Sequence, residues 1–549
     1  MKLEGKLELT WVGKNEELKL EPRILVEDKS KSYGDPNTEN MLIHGDNLLA
    51  LKALEKDFAG KIKCIYIDPP YNTGAAFDLY DDNVEHSIWL NLMCERLKIL
   101  RTLLKEEGVI FIQIDGNEMH YLKIVADEVF GRKNYLSTIT CKVKAPSGVA
   151  SGSQMVFDCS EYILVYAKDK SQMTYVDINE DAEIVDERSK TADFYTYILE
   201  NFSFENMELI KEFDGEKIYK IDPKNYKISK MDNLSSKSYY DNYDKIFRTA
   251  ALSGGREKIV KAHLDTIPNS SASLFVYEHI PTKGKRAGQV CHDLIYKNGG
   301  VLMLKDFAIK NIKEKTVIKQ QHITSIFYND WWQGIAKEGN IELKNGKKPE
   351  ILIKTILDMT TEEGDFVLDS FAGSGTTFAV AHKMNRKWIG IEMGKQVYSH
   401  CKYRLDNIID GNDPTGITKI VNWQGGGGYK FYELAESLLV KNDKLPIYQI
   451  NPNYTFEMMC EAICKIEGFD YKTEGSFHGK SSENRFIHIT TEFVNAEYIK
   501  NLSKELSEKQ SLLIYSTKFA TDLRLPDNIV VKKIPKDLLK KCKFESEVR

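Results

Sequence analysis

The chain has 549 residues, 42% of them hydrophobic and 29% charged, with a formal net charge of −5. A chain this long outgrows one core, because single domains split beyond roughly 250–300 residues, and its composition is far from that of the disordered class. No global basic field marks a nucleic-acid partner, so any contact with DNA must use a local basic surface.

The nine cysteines are scattered, which argues against a disulfide framework, and none forms a CxxC pair of the kind that holds zinc. Cys460 and Cys464 are one helical turn apart and read as two core thiols on one helix face. The opening MKLEGKLELTW has no apolar signal region, and no run of about 18 apolar residues occurs. A cytoplasmic protein without a membrane span is expected.

Residues 1–40 are polar, with a YGDPN turn, and read as an N-terminal extension. A short strand at Met41 to Ile43, a turn at Gly45 and a helix after Asp46 follow. Lys61 to Ile67 is β-rich and runs into DPPY. From His86 to Glu106 apolar residues recur at helical spacing; Gly108 is expected to stop that helix, with VIFIQI as a buried strand ending at Asp115. Another helix is expected from Met119 to Phe130. Between about 141 and 330 the regularity fades into an insert rich in Tyr, Lys, Asn and Ser. The strand–helix rhythm resumes at Lys348: a helix from Ile351 to Thr360, a strand at Asp365 to Leu368, a glycine-rich turn, a helix, and a strand at Trp388 to Ile391. Gly425 to Gly428 reads as a break, and 431–549 as a small α/β domain. Alternating strands and helices imply a parallel sheet.

Two motifs stand at strand ends, where open α/β sheets bind ligands. In Asp68-Pro69-Pro70-Tyr71 the prolines fix φ near −65° and leave a stiff turn. The Asp68 carboxylate and the Pro69 carbonyl can accept both hydrogens of an exocyclic amine. The Tyr71 ring offers a stacking face, worth roughly 1–3 kcal/mol per base. The tetrapeptide alone also suits a stiffened loop with a solvated Asp and a core Tyr. The second motif, LDSFAGSGTT from Leu368 to Thr377, opens a helix but lacks the GK[ST] of a triphosphate loop. Asp369 can accept from an ammonium group, and Glu392 at the next strand end suits two ribose hydroxyls. Target amine on one side and adenosine with an amino acid on the other together point to S-adenosylmethionine.

The sequence here closely resembles β-class amino-methyltransferases of DNA, with the DPPY motif before the FxGxG motif, a permuted order. MLIHGDNLLALKAL, CIYIDPPYNTG, HSIWLNLMCERLKIL, VIFIQIDGNE, CSEYILVYAKD, KKPEILIKTIL, LDSFAGSGTT and GGGGYKFYEL extend the likeness to the modification subunits of type III restriction-modification systems, over residues 1 to about 435. The resemblance implies a Rossmann-like methyltransferase sheet with a target-base half (41–140), an inserted α+β target-recognition domain (141–330) and an S-adenosylmethionine half (331–430). It implies an adenine-specific DNA methyltransferase that flips its base out of the duplex. Asp68, Pro69, Pro70 and Tyr71 take the catalytic positions. Asp369, Phe371, Gly373, Gly375 and Thr376 match the cofactor loop and Glu392 its ribose acid. Lys348 and Pro349 match the segment capping the methionine end, and Asp46 a position near the adenine. Asp at the first motif position favours adenine N6 in the family, Ser cytosine N4. One departure is IDGNE, with Gly116 where many relatives carry Asp.

Between Lys283 and Lys319 nine basic residues stand against three acidic ones, a local patch able to touch phosphates. Lys283, Lys285, Arg286, Lys297 and Lys310 are its candidates for DNA contact, although such runs are often solvated faces. Asp330-Trp331-Trp332 reads as a plug more than a base stack. The resemblance further implies double-stranded DNA, a homodimer and a separate helicase–nuclease subunit as partners. A cytosine-N4 enzyme, and a recognition and docking subunit without its own chemistry, are the alternatives.

Overall fold

A computed structural model describes residues 8–16, 20–72, 85–144, 158–176, 178–205, 207–252, 255–282, 286–341, 346–442, 444–482 and 484–544. The chain forms two compact units, one of residues 1–176 with 324–549 and one of residues 177–323.

The first unit is built on strands β1 (Met41–His44), β2 (Ile62–Ile67), β3 (Leu104–Ile114), β4 (Tyr135–Lys142), β5 (Ser160–Ala167), β6 (Phe366–Asp369), β7 (Lys387–Glu392) and β8 (Gly428–Leu434). Their order is β8-β1-β7-β6-β2-β3-β5-β4, with Leu25–Glu27 and Ile326–Phe327 on the two edges. β8, β1, β7, β6, β2 and β3 are mutually parallel, and β5 runs against both β3 and β4. Every residue of β2 is buried, as a central parallel strand covered on both faces requires. From β6 the chain moves outward to β7, and from β2 it moves the other way to β3. The strand order therefore reverses between β6 and β2, the switch point at which open, Rossmann-like sheets form ligand crevices.

Helices α1 (Asn47–Phe58) and α2 (His86–Leu103) cover one face, and their starts are written locally. Asp46 accepts from the Leu49 N–H at 3.0 Å, and Glu85 accepts from Ser87 and Ile88, satisfying helix-end donors. Trp89, Leu90, Met93, Leu97, Leu100 and Leu103 bury one stripe of α2, each worth about 1.5–3 kcal/mol. The expected stop at Gly108 is displaced. α2 ends at Leu103, and Leu104 is already extended, because Leu103 and Leu104 both join the core. Gly108 lies inside β3, where a Cβ would stand 3.0 Å from the Ile62 carbonyl, so the glycine permits a close strand approach. α3 (Met119–Ala126) continues as a π-turn to Gly131.

The expected insert at 141–330 overlaps this sheet. β5 and the end of β4 are hydrogen-bonded into it, and the second unit begins at 177. That unit contains an eight-stranded antiparallel sheet in the order Met207–Phe213, Glu216–Ile221, Leu274–His279, Cys291–Tyr296, Gly299–Met303, Ile246–Ala251, Tyr197–Glu200, Lys227–Lys230. Val260 and Leu264 of the helix Gly255–Asp265 pack with Ile218, Phe275 and Ile295. A three-stranded sheet joins Ala308–Asn311, Thr316–His322 and Asn179–Ile184.

Beyond β8, the segments Asp470–Glu474, Phe477–Ser482, Arg485–Val494, Ser511–Phe519 and Ile529–Lys533 form a five-stranded sheet. Ile487 and Leu513 face the helix Phe456–Glu467, while Phe486 and Leu512 pack with Ile499 and Leu502 of the helix Ala496–Ser503. Cys460 and Cys464 are fully buried on the first of these helices. Among the described residues no helix is long and apolar enough to cross a membrane.

Candidate active site

The five strands β1, β7, β6, β2 and β3 deliver an acid at or just past their carboxyl ends: Asp46, Glu392, Asp369, Asp68 and Asp115. Leu368 of β6 is level with Ile65 of β2, so the two sequence motifs leave adjacent strands at the switch point.

On the β2 side, Tyr71 Oη lies 2.7 Å from Asp68 Oδ1 and Lys348 Nζ 2.7 Å from Asp68 Oδ2. The Pro69-Pro70 turn is fixed from below by Trp89, whose indole N–H donates to the Pro70 carbonyl at 2.9 Å. Glu161, at the start of β5, receives Gln113 Nε2 at 2.5 Å and Tyr71 Oη at 3.0 Å, with Lys348 Nζ at 3.6 Å. Tyr66 donates to the Gln113 carbonyl and fixes the amide's direction. Burial pushes the Asp68 carboxyl up, opposed by Lys348. Burial acts likewise on Glu161, but Lys348 and Gln113 hold it below the usual carboxylate range. Lys348 is itself held charged, since the two carboxylates outweigh the cost of burying it. The resemblance assigns Lys348 to the methionine end of the cofactor; here its ammonium reaches the target-amine loop. Pro349 stands at the N-cap of the helix Glu350–Thr360.

On the β6 side, Asp369 accepts from the Phe371 N–H at 2.9 Å and from Thr377 Oγ1 at 2.6 Å. Burial pushes its carboxyl up to about 7 against these hydrogen bonds. Gly373 and Gly375 both take positive φ, +52° and +75°, which side chains disfavour. A Cβ on Gly375 would strike Phe378 at 2.5 Å, whereas above Gly373 the nearest atom is 3.9 Å away. Glu392 accepts from the N–H groups of Gly373 (2.7 Å) and Gly394 (2.8 Å) and from Gln396 (2.8 Å), clamping the glycine turn to the end of β7. Asn47 donates to the Ser370 carbonyl at 2.7 Å, and Arg96 reaches Asn47 at 2.6 Å and Asp46 at 3.4 Å. Phe371 is half-buried against the sheet core. Thr376 is turned inward, accepting from Arg404 at 2.9 Å.

Beneath the loop, Lys383 pairs with Glu350 (2.9 Å) and Asp413 (2.7 Å), and Arg404 with Glu350 (2.7 Å), all essentially without exposed surface. This network holds the glycine turn from below. The cradle above suits an adenosine cofactor carrying an amino acid. Asp46 and Glu392 flank it, Asp369 lies within it, the backbone is open above Gly373, and the buried Ser370 hydroxyl has no hydrogen-bond partner among the described residues.

Sequence reasoning missed Glu161, Gln113 and the contact of Lys348 with Asp68. One signal existed: Gln113 is the one polar residue in the run VIFIQI. Glu161 opens a strand that runs antiparallel to β3, so its beginning lies at the edge where its neighbours end, a placement that only the structure shows. At the departure in IDGNE, no atom of the described residues lies within 4 Å of a Cβ on Gly116, so the change leaves the described packing untouched.

Of the basic candidates, Lys283 and Lys285 lie outside the described residues. Arg286 is exposed and 3.3 Å from Asp293. Lys297 lies over the Tyr197 ring at 4.8 Å and Lys310 over Tyr240 at 4.3 Å. Lys297 follows the strand Cys291–Tyr296 of the larger sheet, while Lys310 belongs to the three-stranded sheet, so the run is divided between two sheets. Trp331 is half-buried against Phe327, with ring centroids 4.8 Å apart, which accords with a plug.

Residues 62–402 match the profile of a family described as DNA methylase. The chain is 41% identical over 424 residues to a probable type III restriction-modification enzyme HindVI Mod subunit of Haemophilus influenzae, covering 74% of this chain and 55% of that protein. It is 30% identical over 441 residues to the type III restriction-modification enzyme EcoPI Mod subunit of Escherichia phage P1, covering 69% and 61%. It is also similar to the type II methyltransferase M.EcaI of Enterobacter cloacae, 26% identical over 369 residues, covering 64% and 66%. The chain thus spans between about half and two thirds of the length of these relatives.

Proposed function

The chain belongs to the DNA methylase family, and on that premise we propose that it methylates N6 of an adenine flipped out of duplex DNA, using S-adenosylmethionine, as the modification and specificity subunit of a type III restriction-modification system. The observation that carries this reading is the placement of the Asp68 and Asp369 loops on adjacent strands at the sheet's switch point.

When bound, S-adenosylmethionine supplies a methyl group already activated on a sulfonium. Asp369, Glu392, Asp46 and the turn around Gly373 would hold that cofactor. The work left to the protein is to align and polarise the amine. An adenine amine is conjugated with its ring and weakly nucleophilic; acceptance of its hydrogens by the Asp68 carboxylate and the Pro69 carbonyl favours pyramidal geometry and frees the lone pair. The stiff Pro69-Pro70 turn, held by Trp89, keeps both acceptors in place. Tyr71 gives the extruded base a surface, and extrusion costs a few kcal/mol. No His or Cys nucleophile is needed.

We assign target recognition to the unit 177–323, with Arg286, Lys297 and Lys310, and Lys283 and Lys285, contacting phosphates. Support comes from its position in the chain between the two motif-bearing halves. The relatives are described as Mod subunits of type III restriction-modification enzymes, which supports a separate restriction subunit as partner. The homodimer rests on the resemblance and is checked by sedimentation. The enzymatic reading is tested with Asp68→Ala: tritiated methyl transfer to unmethylated DNA is expected to fall by about 100-fold or more, with duplex binding retained. Undiminished transfer would sink the mechanism and leave the recognition-subunit alternative.

A further inference from the structure

We propose that Glu161 is a positioning residue that receives Lys348 and so releases Asp68 for the incoming base. The inference rests on the methyl-transfer reading above. Both oxygens of Asp68 are engaged, Oδ1 by Tyr71 and Oδ2 by Lys348, each at 2.7 Å. The same Lys348 ammonium stands 5.3 Å from the centre of the Tyr71 ring. Lys348 therefore covers both things that the base needs, the acceptor carboxylate and the stacking surface. It has to move, and a charge this buried cannot move far from a counter-charge without a large desolvation cost.

Glu161 Oε2 is the nearby anionic destination. It lies 3.6 Å from Lys348 Nζ and 3.0 Å from the same Tyr71 hydroxyl. A shift of about 1 Å converts the long ion pair into a hydrogen-bonded one. Tyr71 has a single proton for two carboxylates, so donating it to Glu161 frees the other Asp68 oxygen as well. Gln113, oriented by Tyr66, donates to the same Oε2 and so fixes its position. Asp68, Glu161 and Lys348 carry one excess negative charge among the three. That charge complements the single positive charge passing from the donor sulfur to the amine nitrogen.

The test compares the full-length chain with Glu161→Gln, Lys348→Met and the double variant. Methyl transfer is measured with tritiated S-adenosylmethionine and DNA from a methylation-free host, alongside equilibrium cofactor binding and thermal unfolding. Glu161→Gln strands Lys348 on Asp68, so kcat is expected to fall by about 100-fold, the scale of a misplaced reacting group, with cofactor affinity and melting temperature little changed. Adding Lys348→Met is expected to restore at least about fivefold of that loss, a coupling of opposite sign to simple damage. A Glu161→Gln enzyme within about twofold of wild type, or a double variant weaker than Glu161→Gln, overturns the proposal; these thresholds exceed ordinary non-additivity. If Glu161→Gln fails to fold, Glu161→Asp takes its place, since it keeps the charge and draws the carboxylate one carbon back from Lys348. A loss of at least about fivefold in kcat, relieved by Lys348→Met, is then expected, and a Glu161→Asp enzyme within about twofold of wild type overturns the proposal. A wild-type chain that transfers no methyl group overturns the underlying reading, and this inference with it.

Discussion

Asp68 and Asp369 are carboxylates of the same strand-end kind with different surroundings. Lys348 lies 2.7 Å from Asp68, whereas Asp369 has a hydroxyl and a backbone N–H and is pushed up to about 7 by burial. A cationic ligand at Asp369 binds the ionised form, so acid competes with it. Affinity for S-adenosylmethionine is expected to fall about tenfold per pH unit below 7, while Asp369→Asn flattens that dependence; calorimetric titration between pH 5 and 7 checks both. A wild-type affinity independent of pH in that range would contradict the assignment. Trp89 offers a second check at this scale. Trp89→Phe keeps the buried ring but removes the donor to the Pro70 carbonyl, which is expected to cost about 1 kcal/mol of stability and to lower kcat more than cofactor affinity.

At the scale of elements, a buried ion network supports the glycine turn through Arg404. Lys383→Met leaves Glu350 and Asp413 facing each other without their shared cation, and is expected to cost about 3–5 kcal/mol, read as a fall in unfolding free energy by denaturant titration. A loss under about 1 kcal/mol would mean that the network relaxes freely. β2, β6 and β7 were legible because their apolar runs end on punctuating residues: Asp68-Pro69, Asp369 and Glu392. The end of α2 was misplaced because Gly108 reads as a stop, yet the helix ends where Leu104 turns into the core, a tertiary decision. Glu161 was hidden because its strand runs antiparallel, so no motif at a strand end announced it.

For the whole molecule, the chain enters and leaves the second unit side by side, with Asn179 paired to His322. A short linker replacing 178–322 is therefore expected to leave a folded first unit that still binds S-adenosylmethionine but no longer marks a defined DNA site, as isothermal titration and mapping of modified bases would report. Loss of cofactor binding would instead mean that the first unit depends on the second for folding. The five acids along one sheet edge, and the two motifs at its switch point, make a single claim about chemistry. The most direct test is to express the full chain in a methylation-free bacterial host and map modified bases in its DNA by single-molecule sequencing. N6-methyladenine on one strand of a short asymmetric site is the predicted result. N4-methylcytosine, or unmodified DNA from a host that contains the folded protein, would contradict it.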